Sequence, residues 1–355
     1  MSLLVLGSIA LDTVKTPLEE HADVLGGSAS YAAASASFFT PPRLVGIVGD
    51  DFPKAHLNYF KECNIDLEGL QIVPGKTFRW SGEYLWDMNS RETRSTDLNV
   101  FENFTPTLPE SYRQSPFVLL GNIAPALQLH VLDQLESPRF VVADTMNLWI
   151  NIAKEELIQL LGRVDMLLLN DSEARELTGE TSLIKAGRHL REMGPAYVAI
   201  KKGEHGCLLF GKDQFFSCPA FPLEDIHDPT GAGDAFAGAL AGYLARESEG
   251  KSATRVLSKL ATADEVQGAD GASGSLWQKL LDASSTGATK QFAAEVEFRK
   301  NFAHEIDFKT LRQAIVYGSV MASFTVESFS LDRLRTVTPA DIQERFETFQ
   351  ALSVF

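Results

Sequence analysis

The sequence predicts an α/β protein, a mainly parallel sheet with helices on both faces and a small additional β-sheet. Three observations carry that reading. Short apolar runs alternate with helix-like stretches along most of the chain, and most of those runs end in Gly, Asn or Asp. Between Gly75 and Phe104 the rhythm changes to alternating polar and aromatic residues. Near-continuous apolar strands separated by helices indicate a parallel sheet covered on both faces. Alternation marks strands with one face exposed or covering a ligand.

In chain order the apolar runs are Leu3 to Ala10, Leu44 to Val48, Phe117 to Leu120, Phe140 to Val142, Met166 to Leu169 and Tyr197 to Ile200. Each has strand length. The first is cut short by Asp12 and lacks a basic leader, so it reads as a strand and not as a signal peptide. Ligands of such sheets bind beyond the carboxyl ends of the strands, which singles out Asp12, Asn122, Asp144, Asn170 and Lys201. The alternating stretch Thr77 to Trp86 reads as part of a β lid over 13–25 and 75–105; an extra hairpin packed on the domain's own surface is the plainer alternative. Between Ser248 and His304, 26 of 57 residues are Ala, Ser, Gly or Thr. This segment reads as an insertion, with short helices around Leu276 to Leu281 and Phe292 to Phe302.

Composition narrows the function. With 355 residues, 32 basic and 47 acidic side chains give a net charge of −15. Nucleic-acid binding needs a basic footprint, so no nucleic acid is expected. Cys63, Cys207 and Cys218 are odd in number, widely spaced and form no metal-ligand motif, which points to a reducing, cytoplasmic setting. No run approaches 18 apolar residues, so no membrane partner is expected.

The strongest motif is Asp228-Pro229-Thr230-Gly231-Ala232-Gly233-Asp234, followed by a helical pattern. Glycines at a helix start let backbone amides face an anion, and phosphate is the obvious one. A terminal aspartate would repel that anion unless it takes the proton of an attacking hydroxyl. Helix capping by Asp234 is the structural alternative. Gly206 to Lys212 matches G-x-x-x-x-G-K, but Asp213 replaces the hydroxyl residue and the interior reads as a strand, so a P-loop is not expected. A dinucleotide-binding glycine pattern is absent. His205 and His227 have no partner at ligand spacing and read as solvated loop residues.

Together with Asp12, Gly26-Gly27 before a small-residue helix, Asn170-x-x-Glu173 and Lys201-x-Gly203-x-x-Gly206, this motif resembles the ribokinase (PfkB) family of carbohydrate and nucleoside kinases. The likeness spans nearly the whole chain, 1–355, apart from the 248–304 segment. It implies a Rossmann-like α/β domain with a β lid that transfers the ATP γ-phosphate to a substrate hydroxyl. By that resemblance Asp234 is the general base, an ordinary aspartate ionised at neutral pH, and the amides of Gly231, Ala232 and Gly233 form the anion hole. Asp12, Gly26 and Gly27 bind substrate. Asn170, Glu173, Lys201, Gly203, Gly206 and Thr230 bind the nucleotide, with Glu173 near Mg²⁺ through water. A monovalent cation and a homodimer through the lid are implied as well. The alternatives are a helix N-cap for Asn170 and Glu173, a solvated turn for Asp12 and an exposed strand end for Lys201. Tyr31 stands where the family often has asparagine, so ribose specificity does not transfer. The lid aromatics Phe78, Trp80, Tyr84 and Trp86 suit a nucleobase, a sugar face or core packing. The acceptor is a sugar or sugar-like molecule, with a nucleoside kinase and a non-catalytic nucleotide-binding regulator as alternatives.

Overall fold

The structure, a computed structural model, describes residues 2–262 and 306–353. The chain enters through β1 (Leu3–Leu6), builds β2 (Ala10–Lys15) and β3 (Glu20–Gly26), and turns into α1 (Ser28–Ala36). It continues through β4 (Pro42–Gly49), α2 (Lys54–Glu62), β5 (Leu70–Val73), β6 (Phe78–Tyr84) and β7 (Arg91–Asp97). A regular alternation follows: β8 (Phe117–Leu120), α3 (Pro125–Leu132), β9 (Phe140–Asp144), α4 (Asn147–Ile152), α5 (Lys154–Leu161), β10 (Met166–Asn170), α6 (Asp171–Thr178) and α7 (Leu183–Glu192). Strands β11 (Tyr197–Lys201), β12 (Cys207–Phe210) and β13 (Phe215–Cys218) lead to α8 (Ala232–Thr262), α9 (Phe308–Thr325) and α10 (Pro339–Leu352).

The main sheet has the order β13-β12-β11-β10-β9-β8-β1-β4-β5. Its neighbours pair in parallel except at β12, which runs against β11 and β13. Strand order reverses at β1, between β4 and β8, the kind of switch point where such sheets open a crevice. Alternation along β1 feeds two cores. Leu3 and Val5 pack with residues of α1, α2, α8, α9 and α10, while Leu4 and Leu6 pack with residues of α3, α4, α5, α6 and α7. Burial on both sides is why this strand reads as continuously apolar.

Every residue of α1, Ser-Ala-Ser-Tyr-Ala-Ala-Ala-Ser-Ala, is buried. Its small side chains let α8 approach almost to backbone contact. A Cβ on Gly238 would stand 2.0 Å from Ala32 O, and one on Gly242 3.0 Å from Ala36 O. Ser35 Oγ donates to Ala235 O at 2.7 Å across the same contact.

The second sheet has the order β3-β2-β6-β7, with a parallel central pair and antiparallel outer pairs. By register, Asp12, Val14, Trp80, Tyr84 and Arg91 share one face. Val14 and Tyr84 pack there against Phe329. On the other face Lys15 pairs with Glu83 at 2.8 Å. At the β6–β7 hairpin Asn89 lies against Gly203, where an added Cβ would be 2.8 Å from Asn89 Oδ1.

One expectation changes. The first apolar run is not one strand: β1 ends at Leu6, and Asp12 lies inside β2 of the second sheet. At Gly7 the chain passes so close to the start of α1 that a Cβ would fall 2.5 Å from Ser28 Oγ, and it crosses there to the other sheet. The first part of the segment expected to be inserted, Ser248 to Thr262, continues α8; Ala and Lys are good helix formers, so this composition does not interrupt the helix. The rest of the expected insertion, with its helices around Leu276 to Leu281 and Phe292 to Phe302, lies outside the described residues. Cys207 and Cys218, distant in sequence, are register partners across β12–β13, both buried free thiols. The G-x-x-x-x-G-K match is β12 and the bend after it. Among the described residues no helix is long and apolar enough to cross a membrane.

The α1–α8 contact makes a direct prediction. Gly238→Val places side-chain atoms against a backbone carbonyl that cannot yield cheaply, and overpacking of this kind costs about 1–3 kcal/mol. Thermal denaturation should show a melting temperature several degrees lower than wild type; an unchanged value would mean that the helices are not this close.

Candidate active site

The site forms where the starts of α1 and α8 meet the carboxyl ends of the central strands. Ahead of α8, Gly231 has φ +76°, and a Cβ there would lie 2.4 Å from the Tyr31 ring. The glycine loop is thus pressed flat on α1, which is what Tyr31 does in this chain. Buried Asp228 pins the loop by accepting from the Thr230 amide at 2.9 Å and the Ser330 amide at 3.3 Å. Thr230 Oγ1 donates to Tyr84 Oη at 3.3 Å and so ties the loop to the second sheet. Ala235 N donates to Gly231 O at 2.8 Å, the first bond of the α8 ladder, so the amides of Gly233 and Asp234 precede it. The Ala232 amide donates to Pro229 O at 3.2 Å. Of the three amides expected to hold an anion, that of Ala232 is therefore engaged within its own turn.

Asp234 is half-buried at the end of this loop. Burial, reinforced by the charge of Asp144, pushes its carboxyl up to about 7, while Lys201 and Arg91 oppose the rise. It is not the ordinary aspartate expected from the sequence, because desolvation disfavours its charged form.

Asp12 is buried as well, which removes the solvated-turn reading. Burial and then the charge of Asp228 push its carboxyl up to about 7. Its Oδ1 has no hydrogen-bond partner. An unsatisfied buried acceptor costs about 1–3 kcal/mol, which a hydroxyl donor would recover. Gly26 is dictated by this carboxylate, since a Cβ would lie 1.9 Å from Asp12 Oδ2. Gly27 has φ +90° and presses on Ser8 O.

Lys201 is no exposed strand end. Its Nζ reaches Asp144 Oδ2 at 2.7 Å, with side-chain exposures of 18% and 6%. Burial works against the ammonium, but Asp144, Glu173 and Asp234 outweigh it and raise its pKa. The same Nζ stands 3.2 Å from where a Gly233 Cβ would be, directly against the glycine loop.

Asn170 and Glu173 form a capping box on α6: Asn170 Oδ1 accepts from the Glu173 amide at 2.8 Å, and Glu173 Oε2 accepts from the Asn170 amide at 2.7 Å. Glu173 is buried and pushed up to about 7, chiefly by desolvation, with Lys201 opposing. The cap and a place beside Lys201 are compatible, since Oε2 serves the helix and Lys201 senses the charge. Gly203 (φ +54°) and Gly206 (φ +81°) shape the turn between β11 and β12, where a Cβ on Gly206 would lie 2.0 Å from Cys218 O. Among the described residues no group of three or more His, Cys, Asp or Glu could cage a metal. One free oxygen on Glu173 suits an ion held mostly by water and phosphate, as Mg²⁺ prefers.

The sequence reading missed Arg91. It sits in an exposed polar strand, yet its charge lowers the pKa values of Asp12, Glu173 and Asp234, and its guanidinium lies 5.4 Å over the Trp80 ring. Only its phase with Trp80 and Tyr84 could have signalled this. Of the lid aromatics, Phe78 packs on Phe101, Tyr84 is buried and Trp86 is exposed. Trp80 is half-buried, lies across Gly82 and donates its Nε1–H to Thr93 Oγ1 at 3.3 Å.

A helix start with free amides, an aspartate beside it and a buried carboxylate oxygen without a partner are groups that phosphoryl transfer to an alcohol can use, and the class is that of small-molecule kinases. A family model described as pfkB family carbohydrate kinase matches residues 124–264. A cytidine kinase from Thermococcus kodakarensis is 31% identical over 262 residues, covering 71% of this chain and 90% of that protein. The Burkholderia thailandensis nucleoside kinase in complex with inosine superposes with TM-score 0.66 at 17% identity, covering 98% of this chain and 99% of that one. The Salmonella enterica aminoimidazole riboside kinase, complexed with aminoimidazole riboside and an ATP analog, gives TM-score 0.62 at 16% identity, with 98% and 100% covered. The chain belongs to the pfkB, ribokinase-like family of sugar and nucleoside kinases, phosphotransferases with a hydroxyl acceptor.

The raised carboxyls carry a stability prediction. Asp12, Glu173 and Asp234 titrate near 7 when folded and near 4 when unfolded. Between those values the native state binds more protons than the unfolded state, so their contribution to stability falls as pH rises. Asp234→Asn should therefore raise the melting temperature of the ligand-free protein at pH 8 more than at pH 5. An equal effect at both would refute the raised carboxyl.

Proposed function

We propose that this chain is an ATP-dependent nucleoside kinase, transferring the γ-phosphoryl group to a sugar hydroxyl of a nucleoside. The carrying observation is the pair of carboxylates at one crevice, Asp12 with an unpartnered buried oxygen and Asp234 on the glycine loop, each within electrostatic reach of the other. Asp12 accepts substrate hydroxyls and fixes the sugar. Asp234, in its ionised form, takes the proton of the attacking hydroxyl. The amides of Gly233 and Asp234 and the positive end of α8 hold charge on the moving phosphoryl group without reorganising. Lys201 adds a fixed cation on the β11 side.

Mg²⁺ would neutralise phosphate charge, and Glu173, beside the cap of α6, is the residue that would hold it. The nucleotide side is shaped by Asn170, Lys201 and the Gly203–Gly206 turn, with Thr230 setting the loop. The choice of a nucleoside over a free sugar is supported by the cytidine kinase likeness. Trp80 supports it too, since it is the register partner of Asp12 and places an aromatic side chain on the same face of that sheet.

The test is a panel of cytidine, other nucleosides, ribose and fructose, read as ADP release. Nucleosides should turn over with the higher kcat/KM; turnover of free sugars alone would overturn the nucleoside assignment. Asp234→Asn should lower kcat by about 10²–10⁴-fold with nucleotide still bound, and near-wild-type turnover would remove its role as base. Because the base must be ionised, wild-type kcat/KM should rise with pH through about 7 and level off above it. A profile flat from pH 5 to 9 would contradict this.

A further inference from the structure

We infer that Asp144 is a positioning residue for phosphoryl transfer, holding the Lys201 ammonium against the Gly233 end of the catalytic loop. The inference rests on the kinase reading above and adds a residue to it. Asp144 and Lys201 are not on adjacent strands. β9 and β11 are separated by β10, and in register Asp144 lies beside Leu168 whereas Lys201 lies beside Asn170. The lysine side chain must therefore cross the end of β10 to reach its partner. Lysine is a flexible point charge, so an anchor is needed to fix where its charge stands.

Asp144 has the rigidity of an anchor. Its Oδ2 accepts from Lys201 Nζ at 2.7 Å, and its Oδ1 accepts from the Thr145 amide at 3.0 Å. Its backbone oxygen is held by Gln128 Nε2 at 3.1 Å, and the same amide group donates to Leu120 O and Gly121 O at 3.3 and 2.9 Å. Gln128, buried on α3, thus clamps the ends of β8 and β9 together. Thr145 Oγ1, beside this carboxylate, is buried without a partner. The ammonium so held stands 3.2 Å from the Gly233 Cβ direction, under amides that precede the α8 ladder. A cation fixed there faces charge developing on the transferred group, whereas an untethered lysine would have to reorganise as that charge moved. The charges of Asp144 and Lys201 also act in opposite senses on Asp234, so the pair sets the field at the base.

A double-mutant cycle tests this, with Asp144→Asn, Lys201→Met and both together. Asp144→Asn keeps shape and one acceptor but frees the ammonium. It should lower kcat by about tenfold to a hundredfold while leaving the acceptor KM within about twofold, an expectation drawn from transition-state-only interactions. If Asp144 acts through Lys201, the double variant is no slower than Lys201→Met alone. Multiplicative losses, or wild-type kcat in Asp144→Asn, would overturn the inference. Should the unpaired lysine prevent Asp144→Asn from folding, Asp144→Glu keeps the charge but moves the ammonium, and it should show the same loss of kcat; wild-type kcat would reject the anchor role. Asp234→Asn separates the two readings. If it is inactive while Asp144→Asn turns over normally, only the positioning role fails; if it remains active, the general-base reading fails.

Discussion

The site depends on how closely α1 and α8 approach. Gly238 against the Ala32 carbonyl leaves no room for a side chain, and that contact brings two helix starts to the same crevice. One follows Gly26-Gly27 and the Asp12 carboxylate; the other follows the Gly231 loop. Sequence composition explains the packing, because a helix of Ala and Ser gives up side-chain burial for proximity of backbones. What is gained is alignment. The Tyr31 ring under Gly231, the Ser35 bond to Ala235 and the Asp228 clamp on Thr230 follow once the two helices are at this distance.

Charge is the second organising theme. Asp12, Asp144, Glu173, Asp228 and Asp234 gather near two cations, Lys201 and Arg91. Helix starts, free amides and these two side chains supply the positive potential, so a protein with net charge −15 has a local place for a polyanion. Burial, reinforced by neighbouring carboxylates, explains why several are pushed toward neutrality, and it makes the arrival of cations or hydroxyl donors favourable. Desolvation that weakens the ligand-free state is the same desolvation that strengthens each contact once substrate is present.

The central strands were legible because burial on both faces writes a continuous apolar run, and the glycine loop because glycines ahead of a helical pattern free backbone amides while its terminal aspartate sets it apart from a plain anion site. Asn122, Asp144, Asn170 and Lys201 were found as strand-end residues by that logic. Asp12 was found too, but on the wrong strand, since periodicity does not reveal a chain that crosses between sheets at Gly7. The Asp144–Lys201 pair joins residues 57 positions apart across an intervening strand, and Arg91 lies in a run whose polarity looks like any solvated edge. Cys207 and Cys218 became neighbours only through hairpin register. Local pattern reports burial and turns; partnership between distant charges is a product of topology.

The second sheet has a consequence for how the molecule assembles. Its central pair joins β2 to β6, bringing residues 10–15 beside 78–84, with α1, β4, α2 and β5 folded in between. Closing so long a loop must precede any reward from that pairing. The strand carrying Asp12 is thus completed by a partner made much later in the chain, and this pairing carries a loop-closure cost that the β2–β3 hairpin does not.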